Sequence, residues 1–235
     1  MIRVLQTWHE VGEAVLALQH KGFPNHSTVQ KNWDHFLLYQ AINEFERDIN
    51  VVDLGCGEGH TLKFLHALGF QNIYGLDLDI SWKVRLAQVA RHWRLRTLKA
   101  PFHLRAGDIT KTPFPDQAFQ LALSVSTIEH GVDIDLFLKE ASRILKPGGL
   151  LYLTTDYWDE KLQTDASIMA FGLPWKVFSR EEIGALIESA KSSGLALMSP
   201  TKIPDCSDRT VSWQHCDYTF ISLLFRKPSH LDFVG

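Results

Sequence analysis

Cysteine is scarce and unpatterned. The three residues, Cys56, Cys206 and Cys216, are odd in number and have no framework-like spacing, which excludes a disulfide scaffold and fits free thiols in a reducing compartment. Long apolar runs are missing too: Phe119 to Val125 and Phe220 to Phe225 stop far short of the ~20 residues that a bilayer-spanning helix needs. The opening MIRVLQTWHEVGEAV leads into neither a continuous apolar block nor a small-residue cleavage site, so no secretory signal is expected and the expected location is cytoplasmic. An excess of positive charge is also lacking. The formal net charge of -3 gives no global attraction to a polyanion and argues against a nucleic-acid substrate. No repeat or low-complexity tract is present. What remains is a chain of 235 residues, 45% hydrophobic and 22% charged, which suits one globular domain with a sizeable core.

From residue 49 onward, short β-branched or apolar runs alternate with segments of helical period, the pattern of a parallel sheet covered by helices. Strands are expected near 49–54, 72–77, 102–106, 119–125, 149–155, 195–199 and 217–226. Between them, Thr61, Leu62, Leu65 and Leu68 share one helical face, as do Trp82, Leu86, Val89, Ala90 and Trp93. Ile134, Phe137, Leu138, Ala141 and Leu145 make a third stripe. Ser179 and Glu182 form a capping-box pattern ahead of a fourth helix, closed by Gly194. Residues 1–48 carry helical spacing around Val11, Val15 and Leu18 and again around Phe36 to Ile42, and read as a helical N-terminal cap on a 49–235 domain, the whole forming one compact unit. The 156–178 stretch mixes aromatic and polar residues and reads as a functional loop.

The strongest local signal is VVDLGCGEG, residues 51–59, an apolar strand entering three alternate glycines before a helix. Glycine permits the tight turn and lets a ligand approach the backbone, while the helix N-terminus offers unpaired N–H groups. About 20 residues later the next strand ends in Asp77, the position of the ribose-binding acid in nucleotide-binding α/β folds. A dinucleotide fingerprint would place its third glycine at 60, where His60 stands. Asp53, two residues before Gly55, would repel a pyrophosphate and favour a ligand with a positively charged end.

D-x-G-x-G-x-G over 53–59, LD at 76–77, AGDIT with TPFPDQAF, SVSTIEH and RILKPGGLLYLT together resemble, in order and spacing, the class I S-adenosylmethionine-dependent methyltransferases, most closely their small-molecule type 11 branch. The resemblance implies a doubly wound α/β fold with a mostly parallel seven-stranded sheet and an antiparallel last strand. It implies S-adenosylmethionine as cofactor, with S-adenosylhomocysteine as product. It further implies that Asp53, Gly55, Cys56 and Gly57 line the methionine part and that Asp77 holds both ribose hydroxyls. Leu78 would flank the adenine, Asp108 would accept from its exocyclic amine, the Ile109 N–H would reach a ring nitrogen, and Ser126 would lie against the sulfonium end. Two positions depart from the branch: Gln120 stands where an acid is usual, and Ser126 where Asn is frequent.

His130 and Asp156 are the catalytic candidates. His130 follows the fourth strand at the edge where ligands bind in open α/β folds, near a helix N-terminus that disfavours its positive form. Asp156 and Tyr157 follow the fifth strand and face either a substrate or their own turn. Trp33, Trp158, Phe171 and Trp175 read as pocket walls or as core. His215 with Cys206 and Cys216 has no recognised ligand spacing, and no metal is expected. Seven Lys or Arg residues between Ile80 and Gly107, with no acid among them, read as a solvated helix face or as the contact for an acidic partner or RNA. The fourth-strand end lacks both the Asn/Asp-Pro-Pro-Tyr pattern and a cysteine nucleophile, and the resemblance to the small-molecule branch implies a small-molecule acceptor methylated on oxygen or nitrogen. No membrane partner is expected, and a homodimer is compatible with the reading. Two alternatives stay open: an NAD(P)-dependent oxidoreductase, and a non-catalytic S-adenosylmethionine-binding module.

Overall fold

The computed structural model describes residues 1–80, 102–165, 167–170, 172–199 and 202–229. The helix expected from Trp82 to Trp93, the basic residues Lys83 to Lys99, and Phe171 lie outside the described residues.

The strands are β1 (Ile2–Val4), β2 (Asn50–Leu54), β3 (Asn72–Asp77), β4 (His103–Ala106), β5 (Phe119–Val125), β6 (Leu145–Tyr157), β7 (Met169–Ala170), β8 (Leu173–Pro174), β9 (Ala196–Leu197), β10 (Val211–Trp213) and β11 (Cys216–Arg226). The helices are α1 (Trp8–His20), α2 (Lys31–Ile42), α3 (His60–Ala67), α4 (Ile134–Ile144) and α5 (Arg180–Ser192). The main sheet runs in the order β1-β11-β6-β5-β2-β3-β4, with β9 and β10 attached to β11. β4, β3, β2, β5 and β6 pair in parallel, and β11 joins β6 antiparallel from Thr219↔Tyr157 to Arg226↔Leu150.

The sheet is apolar on both faces because helices cover both, as a parallel sheet requires. Along β6, Tyr152 turns to a core that includes Val11, Leu38 and Phe64 from α1, α2 and α3, whereas Leu151 and Leu153 turn to Phe137, Ile144 and Ile183 from α4 and α5. The period-2 alternation of one strand thus divides two cores.

Residues 1–48 are not helical throughout. Ile2 to Val4 form a strand paired with Leu223 to Ile221, and the Leu5 N–H donates to the Phe220 carbonyl, so the N-terminal segment is stitched into the sheet rather than resting on it. A three-residue strand gives too little alternation to be read from sequence. β6 begins at Leu145, earlier than expected, because its irregular KPGG stretch pairs Leu145 with Phe119 before the register shifts. Within 156–178, β7 and β8 form a short antiparallel pair, and Phe178 bridges to Tyr157.

The capping box at α5 is formed as the sequence indicates: Ser179 Oγ accepts from the Glu182 N–H at 3.3 Å, and Glu182 Oε2 accepts from the Ser179 N–H at 2.8 Å. Ser179→Ala removes one of these bonds and is expected to cost about 1 kcal/mol, read as a lower urea midpoint at unchanged slope.

Candidate functional site

The five parallel strands end on one edge, and the residues singled out from the sequence collect there. β2 runs into the turn Gly55–Gly59, which is held to β3 by two bonds: the N–H groups of Gly55 and Cys56 donate to the Leu76 carbonyl at 2.8 and 3.1 Å. Gly55, Gly57 and Gly59 have φ of 87°, 46° and 71°, a region L side chains avoid. Their surroundings differ. A Cβ on Gly55 would lie 2.1 Å from Thr127 Cγ2, whereas one on Gly57 would meet nothing within 4 Å. Gly55 is therefore required by packing. Gly57 faces open space at the mouth of the turn. Cys56 is buried, and a Cβ on Gly75 would sit 2.9 Å from its sulfur, so its side chain points into the core and only its backbone lines the turn.

Two carboxylates flank this turn. Asp53 is 2% exposed and its Oδ1 is buried without a hydrogen-bond donor among the described residues; burial, then the charge of Asp77, pushes its carboxyl up to about 7. A buried carboxylate left without a donor is costly, and an incoming cation removes that cost. Asp77, at the end of β3, accepts from the Gly57 N–H at 2.8 Å through Oδ2 and from the Asp79 N–H at 3.4 Å through Oδ1. Each oxygen keeps accepting capacity. Leu78 beside it is 60% exposed, an apolar surface next to a polar edge. Beyond β4, Asp108 Oδ1 accepts from the N–H and hydroxyl of Thr110, both at 2.8 Å, and Ile109 is buried.

At the end of β5, Ser126 adopts φ of 50° although it is not glycine, and its N–H donates to the Thr154 carbonyl. Such strain persists only where the surroundings over-determine it, and it clusters at functional sites. His130 follows in the same loop. Burial, then the charge of Lys31, lowers its imidazole to about 4, so it is neutral at physiological pH. Asp156, at the end of β6, is 5% exposed and accepts from Trp175 Nε1 at 2.8 Å.

Three charged residues at this edge were not evident from sequence. Lys31, in the first turn of α2, donates to Ser126 Oγ and lies 3.6 Å from Asp34 Oδ2. Asp34 is fully buried, and Glu129 is 1% exposed with Oε2 accepting from Thr155 Oγ1 at 2.9 Å. The i, i+3 charge pair in KNWD reads as an ordinary solvated pair, and only the docking of α2 on the sheet brings it inside. Trp33 is core: it is 3% exposed, and its Nε1 donates to Glu10 on α1. Trp158 is half-buried, with Arg209 over its ring. Gln120 lies at the opposite end of β5, where its Oε1 accepts from the Asn50 N–H, so its departure from the family pattern does not touch the site. Tyr157 donates to Asp159, which also accepts from Arg180 and the Cys206 N–H, and is a structural clip. All three cysteines are free. Among the described residues, no helix is long and apolar enough to cross a membrane.

A strand, a glycine turn, a helix and a strand-end acid, set at the C-terminal edge of an open sheet with one antiparallel strand, define a nucleotide-binding α/β domain of the Rossmann-like methyltransferase kind. Residues 52–153 match the family model described as a methyltransferase domain. That match runs from β2 into β6 and takes in the glycine turn, Asp77, Asp108 and Ser126, so this segment of the chain is similar to methyltransferase domains. The chain is 30% identical over 118 residues to a ubiquinone biosynthesis O-methyltransferase of Chelativorans, covering 49% of this chain and 43% of that protein. It is 25% identical over 143 residues to a sterol 24-C-methyltransferase of Aspergillus fumigatus, covering 59% of this chain and 36% of that one. The chain spans less than half the length of the curated relatives it matches. The Burkholderia thailandensis 1,6-didemethyltoxoflavin-N1-methyltransferase, solved with S-adenosylhomocysteine, shares the fold at a TM-score of 0.62 and 15% identity, covering 96% of this chain and 92% of that one.

The residues at this edge fit S-adenosylmethionine. Asp53 Oδ1 lacks a donor where the resemblance puts the cofactor's amino group, and Gly57 leaves the mouth of the turn open.

Proposed function

We propose that this chain transfers the methyl group of S-adenosylmethionine to a small-molecule acceptor, on oxygen or nitrogen. The observation that carries the reading is Asp53: an enclosed carboxylate oxygen without a donor among the described residues, at the head of a glycine turn that opens to solvent. Bound there, S-adenosylmethionine supplies an electrophilic methyl on a positively charged sulfur that departs as a neutral thioether.

The chain's own residues bind and align. Asp53 takes the amino group, and the backbone of Gly55, Cys56 and Gly57 lies along the methionine part. Asp77 exchanges its bond to the Gly57 N–H for the ribose hydroxyls. Leu78 covers one face of the adenine, Asp108 accepts from its amine, and the Ile109 N–H reaches the ring. Ser126 faces the sulfonium end. No acid is needed at a leaving group that becomes neutral, so catalysis rests on holding acceptor and methyl in near-attack geometry, worth up to about 7–11 kcal/mol. Where the acceptor atom carries a proton, His130 is neutral and able to take it, and Asp156 lies at the adjoining strand end.

The oxidoreductase alternative fits poorly, because Asp53 puts a buried carboxylate behind the turn that a pyrophosphate would have to enter, and His60 stands where the dinucleotide fingerprint has its third glycine. A non-catalytic binding module would keep cofactor affinity and consume no methyl donor. The test is calorimetric titration with S-adenosylhomocysteine for wild type and Asp77→Ala. Wild-type binding in the micromolar range, weakened about tenfold or more in the variant, supports the reading, since charge-assisted bonds to both hydroxyls are lost. Equal binding by wild type and variant contradicts it.

A further inference from the structure

Asp53 Oδ1 is enclosed, yet the methyl-transfer reading puts the cofactor's amino group against it, so some part of the rim has to move before that group arrives. The connection between α1 and α2, residues 21–30, is joined to that rim loosely. Among the described residues its backbone bonds are all local: the Gly22 and Phe23 N–H groups donate to the Gln19 and Leu18 carbonyls, and the Thr28, Val29 and Gln30 carbonyls accept from Lys31, Asn32 and Trp33. The Asn32 side chain adds bonds to the His26 N–H and to the His26 and Val29 carbonyls, again within the segment. The connection thus holds its own shape without a backbone bond to the sheet or to α3, which lets it swing as a unit. Gly22, with φ of 75°, stands where it leaves α1.

Side chains fasten it, and they do so on both sides of the glycine turn. Phe23 meets Phe64 of α3 at 6.0 Å between ring centroids, and His26 lies 4.3 Å from His60, the residue after Gly59. At the far end, Lys31 in the first turn of α2 donates to Ser126 Oγ. Ser126 precedes Thr127, whose hydroxyl donates to the Gly55 carbonyl at 3.3 Å. The segment from His26 to Lys31 is therefore anchored beside Gly59 at one end and beside Gly55 at the other. Between the two anchors Gly57 keeps its open space.

The ring contacts suit a latch. His26 also packs on His35 at 5.4 Å, and His35 stacks on Phe64 at 4.5 Å. Burial, then the charge of His60, lowers His26 to about 4, and burial, then the charge of His26, lowers His35 to about 3. Both rings are neutral at physiological pH and pack without charge repulsion between them. A pair of aromatic rings is worth about 0.5–1.5 kcal/mol beyond its buried area, enough to keep a segment closed and little enough to let it open often.

We propose that residues 22–31 are a strap across the glycine turn, latched by His26 on His60 and by Lys31 on Ser126, which lifts to admit the cofactor and closes behind it. The inference rests on the reading that S-adenosylmethionine occupies this turn, and adds what controls its entry and exit. The His26 latch joins protein to protein and makes no use of the cofactor. Weakening it therefore favours opening equally in the free and the occupied chain. Entry and exit quicken together, and affinity is left where it was.

The test is stopped-flow association and displacement of S-adenosylhomocysteine, followed by tryptophan fluorescence, with calorimetric affinities, for wild type, His26→Ala and His26→Phe. His26→Ala removes the ring from His60 and is expected to raise both rate constants about fivefold, with Kd within about twofold of wild type. His26→Phe keeps a ring against His60 and is expected to run at wild-type rates. Trypsin gives a readout that needs no ligand. Cleavage after Lys21, the exposed residue just before the strap, should quicken about fivefold in His26→Ala and stay at the wild-type rate in His26→Phe. The proposal is overturned if His26→Ala leaves the rates and the cleavage unchanged, if dissociation alone quickens and affinity falls, as loss of a ligand contact would give, or if His26→Phe behaves as His26→Ala does. Failure of S-adenosylhomocysteine to bind wild type would remove the methyl-transfer reading and this proposal together, whereas binding with unaltered rates removes the strap alone.

Discussion

Asp53→Asn is expected to stabilise the ligand-free protein while costing about a hundredfold or more in affinity for S-adenosylhomocysteine. In the folded chain the Asp53 carboxyl holds its proton up to about 7, against an ordinary value of 3.8. Between these two values the folded state binds more protons than the unfolded one, so this residue's contribution to stability is fully present below 3.8 and is lost as pH rises towards 7. Replacing the acid removes that loss, a gain with an upper bound of about 4 kcal/mol at pH 8. The gain should shrink as pH falls, because wild type is then neutral too. The ligand's ammonium needs the ionised form, so wild-type affinity should climb with pH up to about 7 and level off above it, while the variant's stays low and flat. Guanidinium unfolding at pH 5 and pH 8, with calorimetry at the same values, reads both effects. A variant less stable than wild type at pH 8, with unchanged ligand affinity, would contradict the account.

Gly55→Ala and Gly57→Ala should part company although the two residues stand in one turn at positive φ. At Gly55 the new methyl falls 2.1 Å from Thr127 Cγ2 and 2.8 Å from Thr127 Cβ, atoms on a side chain branched at Cβ and fixed by bonds from its hydroxyl to the Gly55 and Val125 carbonyls. Clash and backbone strain together are expected to cost about 3 kcal/mol or more and to lower soluble yield. At Gly57 the methyl enters open space, so only the αL conformation is penalised, at about 1 kcal/mol. That methyl nevertheless occupies the mouth of the turn, and ligand affinity should fall about tenfold or more while the fold persists. Thermal melts with and without S-adenosylhomocysteine separate the cases. Gly57→Ala should melt near wild type with little ligand-induced shift, and Gly55→Ala should melt low throughout.

Most of the sheet was legible because its residues obey local rules. The β3 and β5 bounds agree with the sequence reading, and Ser179 with Glu182 marked the start of α5. The nearness of the glycine turn, Asp53 and Asp77 was legible for the same reason: all lie within two neighbouring strands and the turn between β2 and α3. The buried charges of α2 were not. Lys31 and Asp34 become enclosed only as α2 docks across β6 and β11, through contacts between residues more than a hundred positions apart, as when the Tyr152 hydroxyl donates to the Asp34 carbonyl. The pairing of Ile2 with Leu223 is equally non-local. Even at the cofactor edge, the bond from the Gly57 N–H to Asp77 links two motif residues that sequence treats as separate partners of the ligand.

A crystal structure of the chain with S-adenosylhomocysteine tests the central claim most directly. The account predicts the ligand's amino group within hydrogen-bond distance of Asp53 Oδ1, its ribose hydroxyls on Asp77 with the bond to the Gly57 N–H released, and its sulfur facing Ser126. A ligand bound away from the glycine turn, or one that leaves Asp53 without a donor and Asp77 still on Gly57, would contradict it.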